Sequence, residues 1–279
     1  MRQALEVVAS LVSSGRAGVE TLPWAALGYQ HTQAVRAALT ERYAPATANK
    51  ALFALRGVLG ECFRLGRMSA EDHARASDLP SVKGQGAPRG RALKNGELVA
   101  LFGACDASTA QGARDAGLLA VLYGAGLRRA EVVALDTSDL DVESGELRIR
   151  SGKGRKARTV WVTNGARDAL RAWLDVRGCE PGPIFLAVDK SGDVRPGRIT
   201  TGAVYQILAR LQDAAKVKPF SPHDCRRSYI TALLAAGNSI AVVQKLAGHA
   251  SVNTTARYDR SDEEAKRKAA ETLHVPFAG

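Results

Sequence analysis

The 279-residue sequence lacks the features that mark membrane-spanning, disulfide-bonded and metal-holding chains. No apolar run approaches the ~18 residues that a membrane-spanning helix needs. The four cysteines stand far apart, without the short spacings of a zinc site or a disulfide framework, which favours a reducing, cytoplasmic setting. Acidic residues do not cluster in the way that holds catalytic magnesium, so we expect no metal and no other cofactor.

The charges that are present are mostly positive. A composition of 46% hydrophobic and 24% charged residues is typical of a globular protein. The net charge of +11 favours a polyanionic partner, such as nucleic acid or an anionic membrane surface. Residues 1–83 hold ten Lys and Arg against seven Asp and Glu, so most of the positive excess lies in the rest of the chain.

The first part of the chain, residues 1–83, shows only helical periodicity and is predicted to be a helical domain. Its strongest helix is expected from Thr47 to Leu65. The apolar stripe of that helix comprises Leu52, Leu55, Leu59 and Phe63. Residues 84–91 are rich in Gly, Pro and positive charge and have no periodicity, which predicts a linker. Residues 92–279 then form a second domain.

The only clear β pattern lies in this second domain. Two alternating runs, Glu146–Arg150 and Arg158–Val162, flank the Gly-rich segment SGKGRKA and predict a hairpin. Four basic residues crowd its tip: Lys153, Arg155, Lys156 and Arg158. Such a tip is usually only a solvated surface, but it also offers a mobile ammonium group to a site elsewhere. With helices predicted around the hairpin, we expect a mainly α protein with a small antiparallel β-sheet, an α+β fold.

The densest set of polar groups lies between residues 221 and 258. Ser221 and Pro222 are typical of a helix start, with a serine cap and proline at the first helical position. His223 and Arg226 follow three residues apart, so they project from one face of that helix. A second helix ends at a glycine. The segment after it carries His249 and then Tyr258.

A second arginine with unusual surroundings is Arg128. Glycines at 124 and 126 end one helix, and a new helix is predicted over 127–135, which puts Arg128 in its first turn. Free backbone N–H groups at such a helix end suit an anion. Glu131 lies on the same face and would hold the guanidinium in place. The alternative is a simple surface ion pair.

These residue types suit attack on a phosphodiester. Arginine binds two phosphate oxygens with its planar fork and stays charged, so two arginines can clamp a phosphorus centre. A tyrosine hydroxyl, with an ordinary pKa of about 10, needs help to attack at neutral pH. An imidazole that accepts its proton and a positive electrostatic field supply that help.

Five motifs occur in a fixed order: GLRRAE, the lysine of SGKGRKAR, HDCRR, LAGHAS and TTARY. Together they resemble the tyrosine recombinase (phage integrase) family, in particular its two-domain, Xer-like members. The resemblance spans residues 91–260, and the helical region before it is similar to the core-binding domain of that family. It implies a DNA-binding N-terminal domain, a catalytic C-terminal domain, and strand cleavage and joining without metal or ATP.

The resemblance implies roles for three cationic side chains. Arg128 and Arg226 would clamp the scissile phosphate, and Lys153 would act as general acid toward the 5′ oxygen. Lys156 is the rival for that last role, but the Gly-Lys-Gly context favours Lys153. Glu131 matches an acidic position of the family and is expected to be structural support.

The resemblance also implies roles for two histidines and a tyrosine. His223 would assist proton transfer, and His249 would hydrogen-bond the phosphate. Tyr258 would attack the phosphorus and leave a 3′-phosphotyrosine. Strand joining would then reuse the bond energy stored in that link.

Two positions depart from the usual pattern of the family. Cys225 stands where leucine is usual, and Ala247 where a second leucine is common, so packing is affected more than catalysis. Among the other tyrosines, Tyr229 is expected in the core of its helix. Tyr123 and Tyr205 have no basic neighbours in the sequence and are not expected to act.

The resemblance implies a partner, double-stranded DNA with a short inverted-repeat core site. It also implies that two domains clamp the duplex and that four protomers assemble on two sites. The tail after Tyr258 is our candidate for the contact between protomers. Two other functions stay open: a type IB topoisomerase, and a non-catalytic DNA-binding regulator with the same fold.

Overall fold

The structure, a computed structural model, describes residues 1–84, 90–150, 157–258 and 267. It divides into two compact units, Met1–Arg89 and Gly90–Gly279. Among the helices of the described residues, none combines the length and the apolar character that crossing a bilayer requires.

The first unit is built from helices. They are α1 (Arg2–Ser13), α2 (Tyr29–Arg42), α3 (Pro45–Arg64) and α4 (Ala70–Ser77). Helix α3 begins two residues before the predicted start because Pro45 occupies its first turn, where the missing N–H costs nothing. The predicted stripe of α3 holds at its three leucines, which are fully buried, but is wrong at Phe63. Phe63 is 41% exposed in the last turn and stacks on the ring of His73, with 5.0 Å between ring centroids.

The second unit contains eight helices and four strands within the described residues. The helices are α5 (Asn95–Gly103), α6 (Ala110–Gly124), α7 (Arg129–Ala134), α8 (Asn164–Arg177), α9 (Thr201–Ala215), α10 (Pro222–Ala235), α11 (Ile240–Ala247) and α12 (Val252–Ala256). The strands are β1 (Glu146–Ile149), β2 (Arg158–Trp161), β3 (Leu186–Val188) and β4 (Val194–Arg198). The predicted fold class, mainly α with a small antiparallel β component, is confirmed.

Helix α6 is the centre of the second unit. It packs against α8 on one side and α10 on another, and its leucines at 118, 119 and 122 are fully buried. Gly117 lets α8 approach, because a Cβ there would lie 3.1 Å from the Cβ of Trp173. Trp173 is itself fully buried and donates its indole N–H to the carbonyl of Ile184 at 2.8 Å. This core gives α10 a fixed support.

Two antiparallel hairpins lie in this unit. Strands β1 and β2 pair from Glu146 with Trp161 to Ile149 with Arg158, which confirms the predicted hairpin. Its loop, which carries Lys153, Arg155 and Lys156, lies outside the described residues. The second hairpin joins β3 and β4. The sequence did not predict β4, because its Pro and Gly are both poor strand residues.

Candidate active site

The start of helix α10 is fixed by a carboxylate. Asp224 accepts hydrogen bonds from the backbone N–H of Ser221 at 2.9 Å and from its hydroxyl at 2.8 Å. The predicted helix start is confirmed, with Ser221 as the N-cap residue and proline at the first helical position. Ser221 stands at the cap position, but its hydroxyl donates to Asp224. Asp224 also accepts from the backbone N–H of Arg91 at 2.9 Å, which ties the helix start to the beginning of this unit.

Helix α10 presents His223 and Arg226 to one cavity, as the spacing predicted. The cavity has a volume of about 260 Å³. Arg128, from the start of α7, lines the same space. The remaining lining residues are Arg129, Ala130, Tyr205 and Pro222. Three arginines and a histidine around one opening form a strongly electropositive pocket, which suits an anion.

Arg226 is the most buried of these cations, with 1% of its surface exposed. It donates from Nη1 to the carbonyl of Gly126 at 2.6 Å and from Nη2 to the carbonyl of Ala247. Its Nε has no hydrogen-bond partner among the described residues. Burial and the nearby charge of Arg128 lower the pKa of Arg226 to about 9, so it remains charged at neutral pH. A buried, incompletely neutralised cation of this kind favours an anionic ligand.

Gly126 lets the backbone before helix α7 pack closely against the ring of Tyr229. Its φ of +62° is in the left-handed region, and a Cβ there would lie 2.2 Å from the ring of Tyr229. Tyr229 packs against the small buried cluster around Ile230, which agrees with its predicted place in the core. The glycine of the GLRRAE motif thus brings the start of α7 against α10.

Arg128 is the N-cap residue of helix α7, because the helix starts at Arg129, two residues later than predicted. Glu131 accepts from the backbone N–H of Arg128 at 2.9 Å and from its Nη1 at 2.7 Å. This is not a simple surface pair, because only 12% of the Glu131 side chain is exposed and Arg158 shares it. Burial alone would raise the pKa of Glu131, but hydrogen bonds from Arg158 and Arg128 outweigh it and hold the pKa at about 2.

The carboxyl end of helix α11 is bonded to three arginines. Arg158 Nε donates to the carbonyl of residue 246 at 3.0 Å, Arg226 Nη2 to that of residue 247, and Arg128 Nη2 to that of residue 248 at 3.0 Å. These carbonyls have no partner within the helix and carry the negative end of its dipole. We call this set of contacts the arginine hub. It brings cations from α7, β2 and α10 to one point.

Tyr258 follows the short helix α12 and is 9% exposed. Its hydroxyl lies 3.4 Å from Nε2 of His223. The ring of His249 lies nearly parallel to the Tyr258 ring, with 6.1 Å between centroids. On another side the guanidinium of Arg227 lies 5.1 Å from the centroid of the Tyr258 ring. His249 is held by Thr255, whose Oγ1 lies 2.9 Å from Nδ1.

Both histidines are kept neutral at pH 7. Burial and the charges of Arg226 and Arg227 lower the pKa of His223. Burial and the charges of Arg226 and Arg128 lower the pKa of His249 to about 4. A neutral imidazole beside the tyrosine hydroxyl can accept its proton, which a protonated one cannot.

The structure brings five of the six predicted site residues together. They are Arg128, His223, Arg226, His249 and Tyr258. The sixth, Lys153, lies outside the described residues. The strands that flank it end beside the arginine hub, because Arg158 at the start of β2 belongs to that hub.

Sequence reasoning missed two contacts of this site. Arg158 was expected at the solvated hairpin tip, but its side chain turns inward and binds Glu131. The strict alternation of β2 gave the only hint. Tyr205 was expected to lack basic company, but the guanidinium of Arg129 lies 4.7 Å from its ring centroid. That contact joins α7 to α9, and no local sequence pattern predicts it.

Cys225, one of the two departures from the usual pattern, is fully buried in the main core. Burial raises its pKa, so the thiol is not a nucleophile. Ala247 is also fully buried, and its carbonyl binds Arg226. Both departures therefore lie in packed, buried positions.

Residues 91–265 match the phage integrase family. Tyrosine recombinase XerC of Vibrio parahaemolyticus is 37% identical over 164 residues, which are 58% of this chain and 51% of that protein. Tyrosine recombinase XerA of Thermococcus kodakarensis is 36% identical over 158 residues, 57% of this chain and 55% of the relative. The chain thus spans about half the length of these curated relatives.

Solved structures share the fold over nearly the whole chain. The crystal structure of XerA recombinase covers 99% of this chain and 90% of its own, with a TM-score of 0.53 and 20% identity. The Tn1549 transposon integrase in complex with transposon right end DNA covers 97% of this chain and 92% of its own, with a TM-score of 0.70 and 15% identity. A lambda integrase dimer bound to a core site gives a TM-score of 0.65, 17% identity and coverages of 94% and 88%. The match over residues 91–265 shows that the chain belongs to the phage integrase family, the tyrosine recombinases.

Proposed function

We propose that this protein is a site-specific DNA recombinase that cuts and rejoins strands through a covalent bond between Tyr258 and a DNA phosphate. One observation carries the proposal: the Tyr258 hydroxyl lies 3.4 Å from a neutral His223, which lines the electropositive cavity of Arg128 and Arg226. Family membership and the name tyrosine recombinase, which the relatives carry, support it.

The proposed substrate is double-stranded DNA with a short inverted-repeat core site. The net charge of +11 suits the phosphate backbone. Similar structures are titled as complexes with transposon right end DNA and with a core site. In this proposal residues 1–83 are the core-binding domain, residues 84–91 the linker, and residues 92–279 the catalytic domain.

The scissile phosphate would bind in the cavity against Arg128 and Arg226. Arg226 stays charged at neutral pH, and its buried Nε has no partner among the residues that the structure describes. Its fixed hydrogen bonds to two carbonyls orient the guanidinium before DNA arrives. Preorganised donors of this kind stabilise the charge that develops on the non-bridging oxygens during attack, at little cost in reorganisation.

The Tyr258 oxygen would then attack phosphorus while His223 takes the phenolic proton. A bond forms between the phenolic oxygen and phosphorus, and the bond from phosphorus to the 5′ oxygen breaks. The products are a 3′-phosphotyrosine and a 5′ hydroxyl that receives its proton from Lys153. Attack by the 5′ hydroxyl of a second strand reverses these steps, so joining needs neither ATP nor metal.

His249, whose ring lies beside that of Tyr258, would donate a hydrogen bond to the phosphate. When the Thr255 hydroxyl donates to Nδ1, the imidazole proton lies on Nε2 and is free to donate. A pKa of about 4 keeps this neutral form at working pH. The proposed assembly is a tetramer on two DNA sites. The tail after Tyr258 would form its contacts, and apart from Arg267 that tail lies outside the described residues.

The test is a covalent trapping experiment. Nicked duplexes made from the DNA that flanks the gene are incubated with purified protein, and denaturing gels detect a protein–DNA adduct. We expect the wild type and the control Tyr123→Phe to form the adduct and Tyr258→Phe to form none. An adduct that persists in Tyr258→Phe refutes the nucleophile. Relaxation of any supercoiled plasmid would instead indicate a type IB topoisomerase, and binding without cleavage a regulator.

A further inference from the structure

Arg158 is a buried cation that the proposed reaction does not use. It stands at the start of β2, with 12% of its side chain exposed. Its Nη1 and Nη2 donate to the two oxygens of Glu131 at 3.0 and 2.8 Å, and its Nε donates to the carbonyl of Leu246 at 3.0 Å. It does not line the cavity in which the phosphate would bind.

The carboxylate of Glu131 is shared between two guanidiniums. One of its oxygens accepts from Arg128 Nη1 and Arg158 Nη1, and the other accepts from the Arg128 backbone N–H and Arg158 Nη2. The three side chains together carry one positive charge. Without Arg158, Glu131 and Arg128 would form a neutral pair, and Arg128 would offer a phosphate much less attraction.

The hub also leaves space for Arg158 in particular. Gly248 has a φ of +60°, and a Cβ at this position would lie 2.9 Å from Cδ of Arg158. Glycine at 248 therefore allows the left-handed turn that ends α11 and also leaves room for the Arg158 side chain. The carbonyl of the same glycine accepts a hydrogen bond from Arg128 at 3.0 Å. The backbone at Gly248 therefore helps to position both Arg158 and Arg128.

We propose that Arg158 is a positioning residue of the active site. It neutralises Glu131, so that Arg128 keeps its charge for the scissile phosphate, and it locks β2 to the end of α11. The inference rests on the proposed function. It predicts that activity lost with Arg158→Ala returns when the charge of Glu131 is also removed. If Arg158 and Glu131 formed a purely structural ion pair, removing the Glu131 charge as well would leave activity unchanged or lower it further.

The experiment compares rates of adduct formation in single turnover. Arg158→Ala should slow the step by about 100-fold, the scale of losing one aligned donor to the transition state. Adding Glu131→Gln to that variant should raise the rate of adduct formation again by at least about tenfold. The control is Arg148→Ala, which removes the same charge from an exposed position on the partner strand and should keep the wild-type rate.

Affinity for DNA gives a second readout. Because Arg128 would lose its free charge to Glu131, Arg158→Ala should lower the salt dependence of DNA binding by about one phosphate contact, and adding Glu131→Gln should restore it. Arg158→Lys keeps a charge beside Glu131 and covers the case in which the alanine variant does not fold. A rate for Arg158→Ala equal to that of Arg148→Ala, or a further loss on adding Glu131→Gln, overturns the proposal.

A third readout needs no cleavage. Inorganic phosphate titrated into the DNA-free protein should raise the melting temperature of the wild type and raise that of Arg158→Ala less. The double variant should recover part of the difference. Equal stabilisation of wild type and Arg158→Ala contradicts the role of Arg158. A wild type that never forms an adduct, yet shows this phosphate pattern, contradicts only the proposed function.

Discussion

At the scale of single residues, the site works by holding charges where water cannot screen them. Arg226 is buried, and its Nε has no hydrogen-bond partner in the described part of the chain. Glu131 is bonded to two guanidiniums, and burial together with nearby cations lowers the pKa of both histidines. Each of these states costs free energy in the empty site. A bound phosphate would offset that cost, because it supplies the missing negative charge.

The sequence predicted which residues meet at this site and one partner, Glu131 for Arg128, but not the other partners. Spacing along α10 was enough to place His223 and Arg226 on one face. The inward turn of Arg158 could not be predicted, because it depends on Glu131 and on the carbonyl of Leu246, 27 and 88 positions away. Long-range hydrogen bonds of this kind leave no local periodicity.

The depressed histidine pKa values predict a pH dependence. The unfolded chain binds protons near the ordinary histidine pKa of 6.5, whereas folded His249 resists protonation down to about pH 4. The unfolded state therefore holds more protons between these values, so stability should be complete above pH 6.5 and fall as the pH drops toward 4. Chemical unfolding of the DNA-free protein at several pH values measures this dependence of the free energy of unfolding on pH.

The same protein titrated by NMR should show the imidazoles of His223 and His249 changing protonation below pH 6.5. Arg227→Gln removes a positive charge from the surroundings of His223 and should raise its pKa. Imidazoles at these two positions that titrate at or above 6.5 would contradict the neutral-histidine account.

At the scale of elements, the end of α11 organises the site. Three arginines from α7, β2 and α10 meet its terminal carbonyls, so a short helix of eight residues fixes the positions of these guanidiniums. The sequence predicted where this helix begins and ends. Ser239 accepts from the N–H of Val242, and Gly248 ends the helix in the left-handed conformation. It did not predict that the end is a binding surface.

Helix caps and turns could be predicted more reliably than weak strands. The start of α10 and the β1–β2 hairpin follow from a capping signal and from alternation. Strand β4 was missed because its residues, VRPGR, have poor strand propensity and pair only because β3 lies beside them. Tertiary context decided that element.

Gly248→Ala tests the importance of the α11 end. Alanine in the left-handed region costs about 1–2 kcal/mol, and its Cβ would also press on Cδ of Arg158 at 2.9 Å. We expect a loss of stability of this size in denaturant unfolding together with a clear loss of adduct formation.

The matched control is Gly237→Ala. Gly237 follows helix α10 with a φ of +82°, but a Cβ there would meet nothing within 4 Å. It should lose similar stability and keep its activity. Equal activity of the two variants would show that the end of α11 has no special role.

At the scale of the whole molecule, both compact units belong to a chain with a positive excess of charge. The positive excess lies mainly after residue 83, and the family match begins at residue 91. Composition predicted a polyanionic partner, and five short motifs predicted the family. None of these features alone was sufficient. The order of the motifs along one chain was sufficient, because the fold brings the arginine, histidine and tyrosine segments together across 130 residues.

The most direct test of the whole account is to identify the bond in the trapped adduct. Protein and nicked duplex react in the presence of EDTA, the adduct is digested with trypsin, and mass spectrometry locates the DNA-bearing residue. The account predicts a nucleotide joined through its 3′ phosphate to the peptide that contains Tyr258, with a free 5′ hydroxyl on the released strand. Attachment at another residue, a 5′-phosphate linkage, or an adduct that forms only with added magnesium would contradict it.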